Sequence, residues 1–147
     1  MDNVHISAEA FDPWGLLVAY QHARFGASTS YGATSAFVGT MRDFNEGDDV
    51  AAMELEHYPG MTEGHLGRII GEAKAEWPLE ECLIVHRVGE IHAGEPIVLA
   101  AVWSAHRAAA FAACRFLVEE LKHRAPFWKK ETLADGQQRW VEQNTAG

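Results

Sequence analysis

Residue types able to do chemistry crowd between positions 122 and 130. Lys122, Arg124, Lys129 and Lys130 are four of only twelve Lys and Arg residues, in a chain with 21 Asp and Glu. They flank the segment Ala125-Pro126-Phe127-Trp128. Pro126 fixes its own φ and drives Ala125 to extended geometry. Phe127 and Trp128 are expected to pack inward, so the segment makes a stiff frame with cations at both ends. Two lysines held near each other and partly out of water lower each other's pKa. A lysine tuned in this way serves as acid, base or nucleophile near neutral pH. A plainer account covers Lys122, His123 and Arg124, because cations at a helix C-terminus offset the negative end of the helix dipole. It does not reach Lys129 and Lys130. Spacing leaves both accounts open.

Two further places suit anions. His106-Arg107 falls where an apolar strand gives way to a helix, and free backbone N–H groups at a helix start attract negative charge. An arginine there forks onto phosphate, although Ser104 as a helix cap with a surface Arg107 explains the same residues. Arg42 ends a strand just before a polar turn, a common place for binding residues, and equally a common place for a solvated arginine. No metal site is expected: the eight histidines form no HxH, HxxxH or HExxH pattern. Cys82 and Cys114 form no CxxC pair, and Cys114 falls on an apolar helix face, so neither reads as a nucleophile. Neither GxxxxGK[ST] nor GxGxxG occurs, so no nucleotide site is expected.

The elements that position these residues follow from periodicity. Residues 4–7 read as a short strand. Asp12-Pro13 starts a helix that runs to about residue 24, followed by a Gly-, Ser- and Thr-rich loop. Residues 33–41 and 50–57 read as strands that can pair as a hairpin around the turn between them. Thr62 is expected to cap a helix with Glu63 near its positive end, and Pro78 stops it. Residues 82–88 form a strand. Residues 97–103 are apolar without alternation, which indicates a strand buried on both faces. A helix over 106–124 follows, with Phe111, Cys114, Leu117, Val118 and Leu121 along one side. Two final strands enclose the loop around "LADGQQ". Strands and helices mix without strict βαβ alternation, giving an α+β fold with about three helices and mixed or antiparallel sheets. At 147 residues with 48% hydrophobic content, the chain suits one domain over its whole length, 1–147. A formal net charge of -9 argues against general nucleic-acid binding. The apolar runs are too short to span a bilayer and the start lacks a secretory pattern. A cytoplasmic protein with reduced thiols is expected.

Five stretches in order, "FVGTMRDFNEGDDV", "LEHYPGMTE", "IVHRVGEI", "SAHRAAAF" and "LKHRAPFWKKE", resemble the large, catalytic subunit of molybdopterin synthase, over about residues 36–141. The resemblance implies the α/β-hammerhead fold of that family. It implies a sulfurtransferase that converts cyclic pyranopterin monophosphate into molybdopterin, in molybdenum cofactor biosynthesis, with no cofactor of its own. The sulfur donor it implies is a C-terminal Gly-Gly thiocarboxylate on a small ubiquitin-like partner, on a homodimer core of a heterotetramer. By matching positions, Lys122 and Lys129 take the catalytic places. Thr40, Met41, Arg42, His106, Arg107, Lys130 and Glu131 join them in binding substrate. The cations then offset the repulsion between two anions, a phosphorylated pterin and a thiocarboxylate. Two departures stand out. Phe44 replaces a His common in the family, and the tail after "RWVE" reads "QNTAG" where relatives often carry a basic residue. The rival from another class is a non-catalytic anion-binding adaptor whose basic cluster is only a docking patch. Convergence of Lys122 and Lys129 in one pocket with Arg42 and His106 separates the two.

Overall fold

A computed structural model describes residues 2–45, 48–124 and 127–141. The order is β1 (Val4–Ser7), α1 (Pro13–Phe25), β2 (Ala33–Thr40), β3 (Phe44–Asn45), β4 (Asp48–His57), α2 (Met61–Glu76), β5 (Leu79–Arg87), β6 (Gly89–His92), β7 (Pro96–Ser104), α3 (Arg107–His123), β8 (Phe127–Leu133) and β9 (Gln138–Val141). This is the expected α+β class, with three helices among the described residues. None of those helices is long and apolar enough to cross a membrane.

The first sheet has the order β1-β5-β7-β2, with β1 parallel to β5 and the other pairs antiparallel. Its two central strands are covered on both faces, and successive side chains alternate between them. Cys82, Ile84, Ala100 and Val102 pack with Leu66, Ile69 and Ile70 of α2 and Ala113 and Leu117 of α3. Leu83, Val85, Leu99, Ala101 and Trp103 pack with Tyr20 of α1 on the other side. That double cover is why residues 97–103 show no polar alternation. The Trp103 indole N–H escapes desolvation by donating to Gln21 Oε1 at 2.9 Å.

The second sheet runs β3-β4-β8-β9, with β6 also paired to β4. Its core is Met41, Val50, Met53, Leu55 and Ile91. β5 leads into β6 through Val88, so one stretch of chain passes from the first sheet to the second. Gly89 sits at that passage with φ of 84°, a left-handed conformation that favours glycine.

Helix starts follow their chemistry. The Asp12 carboxylate accepts from the Trp14 N–H at 3.1 Å and Pro13 opens α1. For α2 the N-cap is Gly60, not Thr62: Glu63 reaches back to the Gly60 N–H, and Thr62 Oγ1 accepts from the Tyr58 N–H. Three expectations are corrected here. The strands around the polar turn do not pair with each other: β2 pairs with β7, and β4 with β3, β6 and β8. Among the described residues between them, Phe44 and Asn45 form a small ladder with Asp49 and Asp48. Phe111 is 66% exposed, and the buried stripe of α3 is Ala110, Ala113, Cys114, Leu117 and Leu121. Trp128 does not pack inward; it is 41% exposed. The frame residues Ala125 and Pro126, and the tail after Val141, lie outside the described residues.

Candidate active site

The last turn of α3 and the start of β8 frame a cavity of about 290 Å³ between the two sheets' edges. Lys122, Leu121 and His123 line it from α3, Phe127 and Lys129 from β8, and His86, Thr40 and Val141 are among the remaining lining residues, most of which are apolar. The volume lies at the small end for a ligand site. Its position follows from local rules. The amphipathic stripe of α3 must cover the first sheet, which points the C-terminal turn at the sheet junction. Strand alternation then sends Phe127, Lys129 and Glu131 to one face of β8 and Trp128 and Lys130 to the other.

Both lysines are half-buried. Burial is the main cause holding the Lys122 pKa below its usual value, and the Arg42 guanidinium adds to it, against Glu119. For Lys129 burial again leads, then the Lys122 charge, against Glu131. Arg42, exposed just past β2, thus acts on the cavity through its charge. The result is a pair of cations each primed to release a proton more readily than lysine in water.

The other expected site residues divide. Thr40 lines the cavity. Met41 is buried in the core of the second sheet, its N–H donating to Glu95 O and its carbonyl accepting from Gly94 N–H. Lys130 faces away from the cavity, its ammonium 5.8 Å from the Trp140 ring centroid, next to Trp128. Glu131 is 5% exposed and accepts from Arg139 Nε at 3.0 Å across β8 and β9. His106 and Arg107 are exposed at the opposite end of α3 from Lys122. Fifteen residues at 1.5 Å each put Arg107 about 22 Å from Lys122 along the helix. Within one chain they do not join the cavity. Ser104 does not cap α3 as expected; its hydroxyl donates to the His106 carbonyl at 2.5 Å.

Sequence reasoning passed over His86. It shares one face of β5 with Cys82 and Ile84, lines the cavity with both lysines, and stacks on Phe127 at 3.9 Å and 14°. The only signal in the sequence was a histidine at a core-facing position of an apolar strand. Both cysteines are buried. Burial pushes Cys82 up to about 12 and also raises Cys114, so neither thiol is available as a thiolate.

Comparison with known proteins places this chain in a family. The family model "MoaE protein" matches residues 7–124. A molybdopterin synthase catalytic subunit from Pseudomonas aeruginosa is 52% identical over 139 residues, covering 95% of this chain and 89% of that protein. A molybdopterin biosynthesis MoaE protein from Burkholderia ambifaria has a solved structure of TM-score 0.80 at 46% identity, covering 100% of this chain and 93% of that one. A complex of subunits 1 and 2 of molybdopterin-converting factor from Helicobacter pylori shares the fold, with a TM-score of 0.79 at 21% identity over 96% and 91% of the two chains. The chain belongs to the MoaE family.

Proposed function

We propose that this protein is the catalytic, sulfur-transferring subunit of a molybdopterin synthase in molybdenum cofactor biosynthesis, with its chemistry in the cavity that Lys122 and Lys129 share. The observation that carries the reading is the convergence of two half-buried lysines of lowered pKa on one concave site, in a chain of this family. A docking patch needs neither burial nor convergence, which favours the catalytic reading over the adaptor; Arg42 joins only through its charge, and His106 does not line the cavity within one chain.

In this reading the substrate is cyclic pyranopterin monophosphate and the sulfur comes from the C-terminal thiocarboxylate of a small ubiquitin-like partner. Lys122 contacts the carboxy-terminus of that partner, and Lys129 assists proton transfer on the pterin. Thr40 and Arg42 add polar and cationic contacts at the same cavity. Their combined charge offsets the repulsion of two anions and stabilises charge that develops during transfer. The thiols take no part. Glu131, paired with Arg139, keeps Lys129 aligned from the same strand, and Lys130 and Met41 support the frame from outside the cavity.

His106 and Arg107 enter this scheme through a second copy. With about 22 Å of helix between them and Lys122, they reach a cavity only across an interface of a homodimer, which then carries one small subunit on each copy. The whole chain acts as one domain, in the cytoplasm. The test is reconstitution: the protein, a thiocarboxylated small subunit and the pyranopterin are mixed and assayed for dithiolene product. Absence of product with folded, assembled components overturns the reading.

A further inference from the structure

The cavity holds a polar group that the scheme above leaves idle. His86 Nδ1 lies 2.8 Å from the Arg87 carbonyl oxygen. A carbonyl only accepts, so Nδ1 carries the hydrogen. In the uncharged ring Nε2 then holds a lone pair, and it is the one ring atom left to make a hydrogen bond. Phe127 stacks on the ring, which fixes its plane. Phe127 and Lys129 share one face of β8, so the same strand sets the ring and the lysine.

The charged and titratable surroundings all favour the uncharged ring. Lys122 acts on it from α3, Lys129 from β8 and His57 from β4, and His123 of α3 lines the same cavity. Burial is the largest influence, and the pKa falls to about 4, with only the bond to the Arg87 carbonyl opposing. The ring sits against apolar neighbours such as Phe127 and Val98, but it also fronts a cavity whose polar groups include Thr40 and two lysine ammoniums.

We propose that His86 is a specificity-determining residue of this cavity, whose Nε2 accepts a hydrogen bond from an N–H or O–H group of the ligand. Lysines alone bind any anion of suitable size. An acceptor in the same cavity favours a ligand that carries an N–H or O–H donor as well as an anionic group, as a phosphorylated pterin does, over a plain anion. The proposal rests on the function proposed above for its choice of ligand, and binding rather than turnover is its readout.

Calorimetry on the full-length protein compares cyclic pyranopterin monophosphate with inorganic phosphate, for wild type and His86→Phe. Loss of one hydrogen bond is expected to weaken pyranopterin binding about ten-fold and to leave phosphate binding within about two-fold. In turnover the same variant is expected to raise KM more than it lowers kcat. Nitrogen-15 spectra of wild type at neutral pH give a measurement independent of the variant: Nε2 is expected unprotonated, with its signal moving when pyranopterin is added. A protonated Nε2, or equal weakening of both ligands, overturns the assignment. Selective binding without sulfur transfer upholds it and overturns the proposed function instead. Normal sulfur transfer with unchanged selectivity in His86→Phe does the reverse.

Discussion

Lys122 of α3 and Lys129 of β8 line one cavity from two different elements, and the charge of Lys122 adds to burial in lowering the Lys129 pKa. The neighbouring Arg124 is oriented differently. Its guanidinium bonds to Glu120 on its own helix and Glu72 on α2, and it does not line the cavity. Lys122→Ala and Lys129→Ala are each expected to cut single-turnover product formation by roughly ten- to a thousand-fold, the scale for loss of an acid-base or charge-stabilising group. Arginine at either position should not restore the rate, because a guanidinium keeps its proton near neutral pH. Arg124→Ala should turn over like wild type. Wild-type rates in both lysine variants, with saturating thiocarboxylated partner, would remove the lysines from the chemistry.

The same lysines should limit stability. A buried lysine whose folded pKa is lowered releases its proton before the unfolded chain does. Between the lowered folded value and the ordinary 10.5, the unfolded state binds more protons, so this contribution to stability rises with pH. Below both values the cost of burying the charge is present in full. Lys129→Met is therefore expected to be at least as stable as wild type near neutral pH, with the advantage shrinking as pH climbs toward the ordinary lysine value. Urea midpoints across that range decide it; an advantage that grows with pH contradicts the sign.

His86 gives a slope of the same sign, in acid. Its pKa falls from 6.5 unfolded to about 4 folded, so its contribution is complete above 6.5 and is lost as pH drops through 4. The difference corresponds to roughly 3 kcal/mol across that window. Wild type should lose stability faster than His86→Phe as pH falls from 7 to 4, since the two chains differ at this group alone. Parallel stability curves would show that the ring is not held uncharged.

Legibility varied with how local the determining physics was. Asp12-Pro13 announced α1 because the cap and the fixed φ act within one turn. The apolar run of β7 announced its own double burial. The pairing of β2 was not legible: adjacency in sequence suggested β4, whereas the partner, β7, is supplied by a contact more than fifty residues away. Charge and spacing alone did not separate Lys129 from Lys130; only the family resemblance gave Lys129 the catalytic place. The pleat of β8 supplies the physical reason, turning one to the cavity and the other to Trp140. His86 was hidden because its role depends on what α3 and β8 bring to it.

The thiols test the sulfur route. Cys82 and Cys114 are buried, with raised pKa values that disfavour the nucleophilic thiolate. A Cys82→Ala, Cys114→Ala chain is expected to keep its sulfur-transfer rate, at some loss of stability from the two trimmed core positions. The native protein should resist alkylation by iodoacetamide. A folded double variant without turnover would mean that a cysteine carries the sulfur.

The separation of Arg107 from Lys122 along α3 makes the assembly testable through function. Arg107→Ala should lower turnover by at least roughly ten-fold if it holds substrate charge. Arg107→Ala and Lys129→Ala chains, each impaired alone, are then mixed in equal amounts and allowed to exchange subunits. If a cavity takes its Lys129 from one copy and its Arg107 from the other, each mixed dimer contains one doubly altered cavity and one intact cavity. Random pairing makes half the dimers mixed, so about a quarter of wild-type activity should return for a two-fold symmetric pair. If both residues serve the cavity of their own chain, every cavity keeps one defect and mixing restores nothing. Light scattering on the same samples checks that dimers are present. Dimers that exchange without regaining activity would exclude Arg107 from a shared site and confine the chemistry to the residues of one chain.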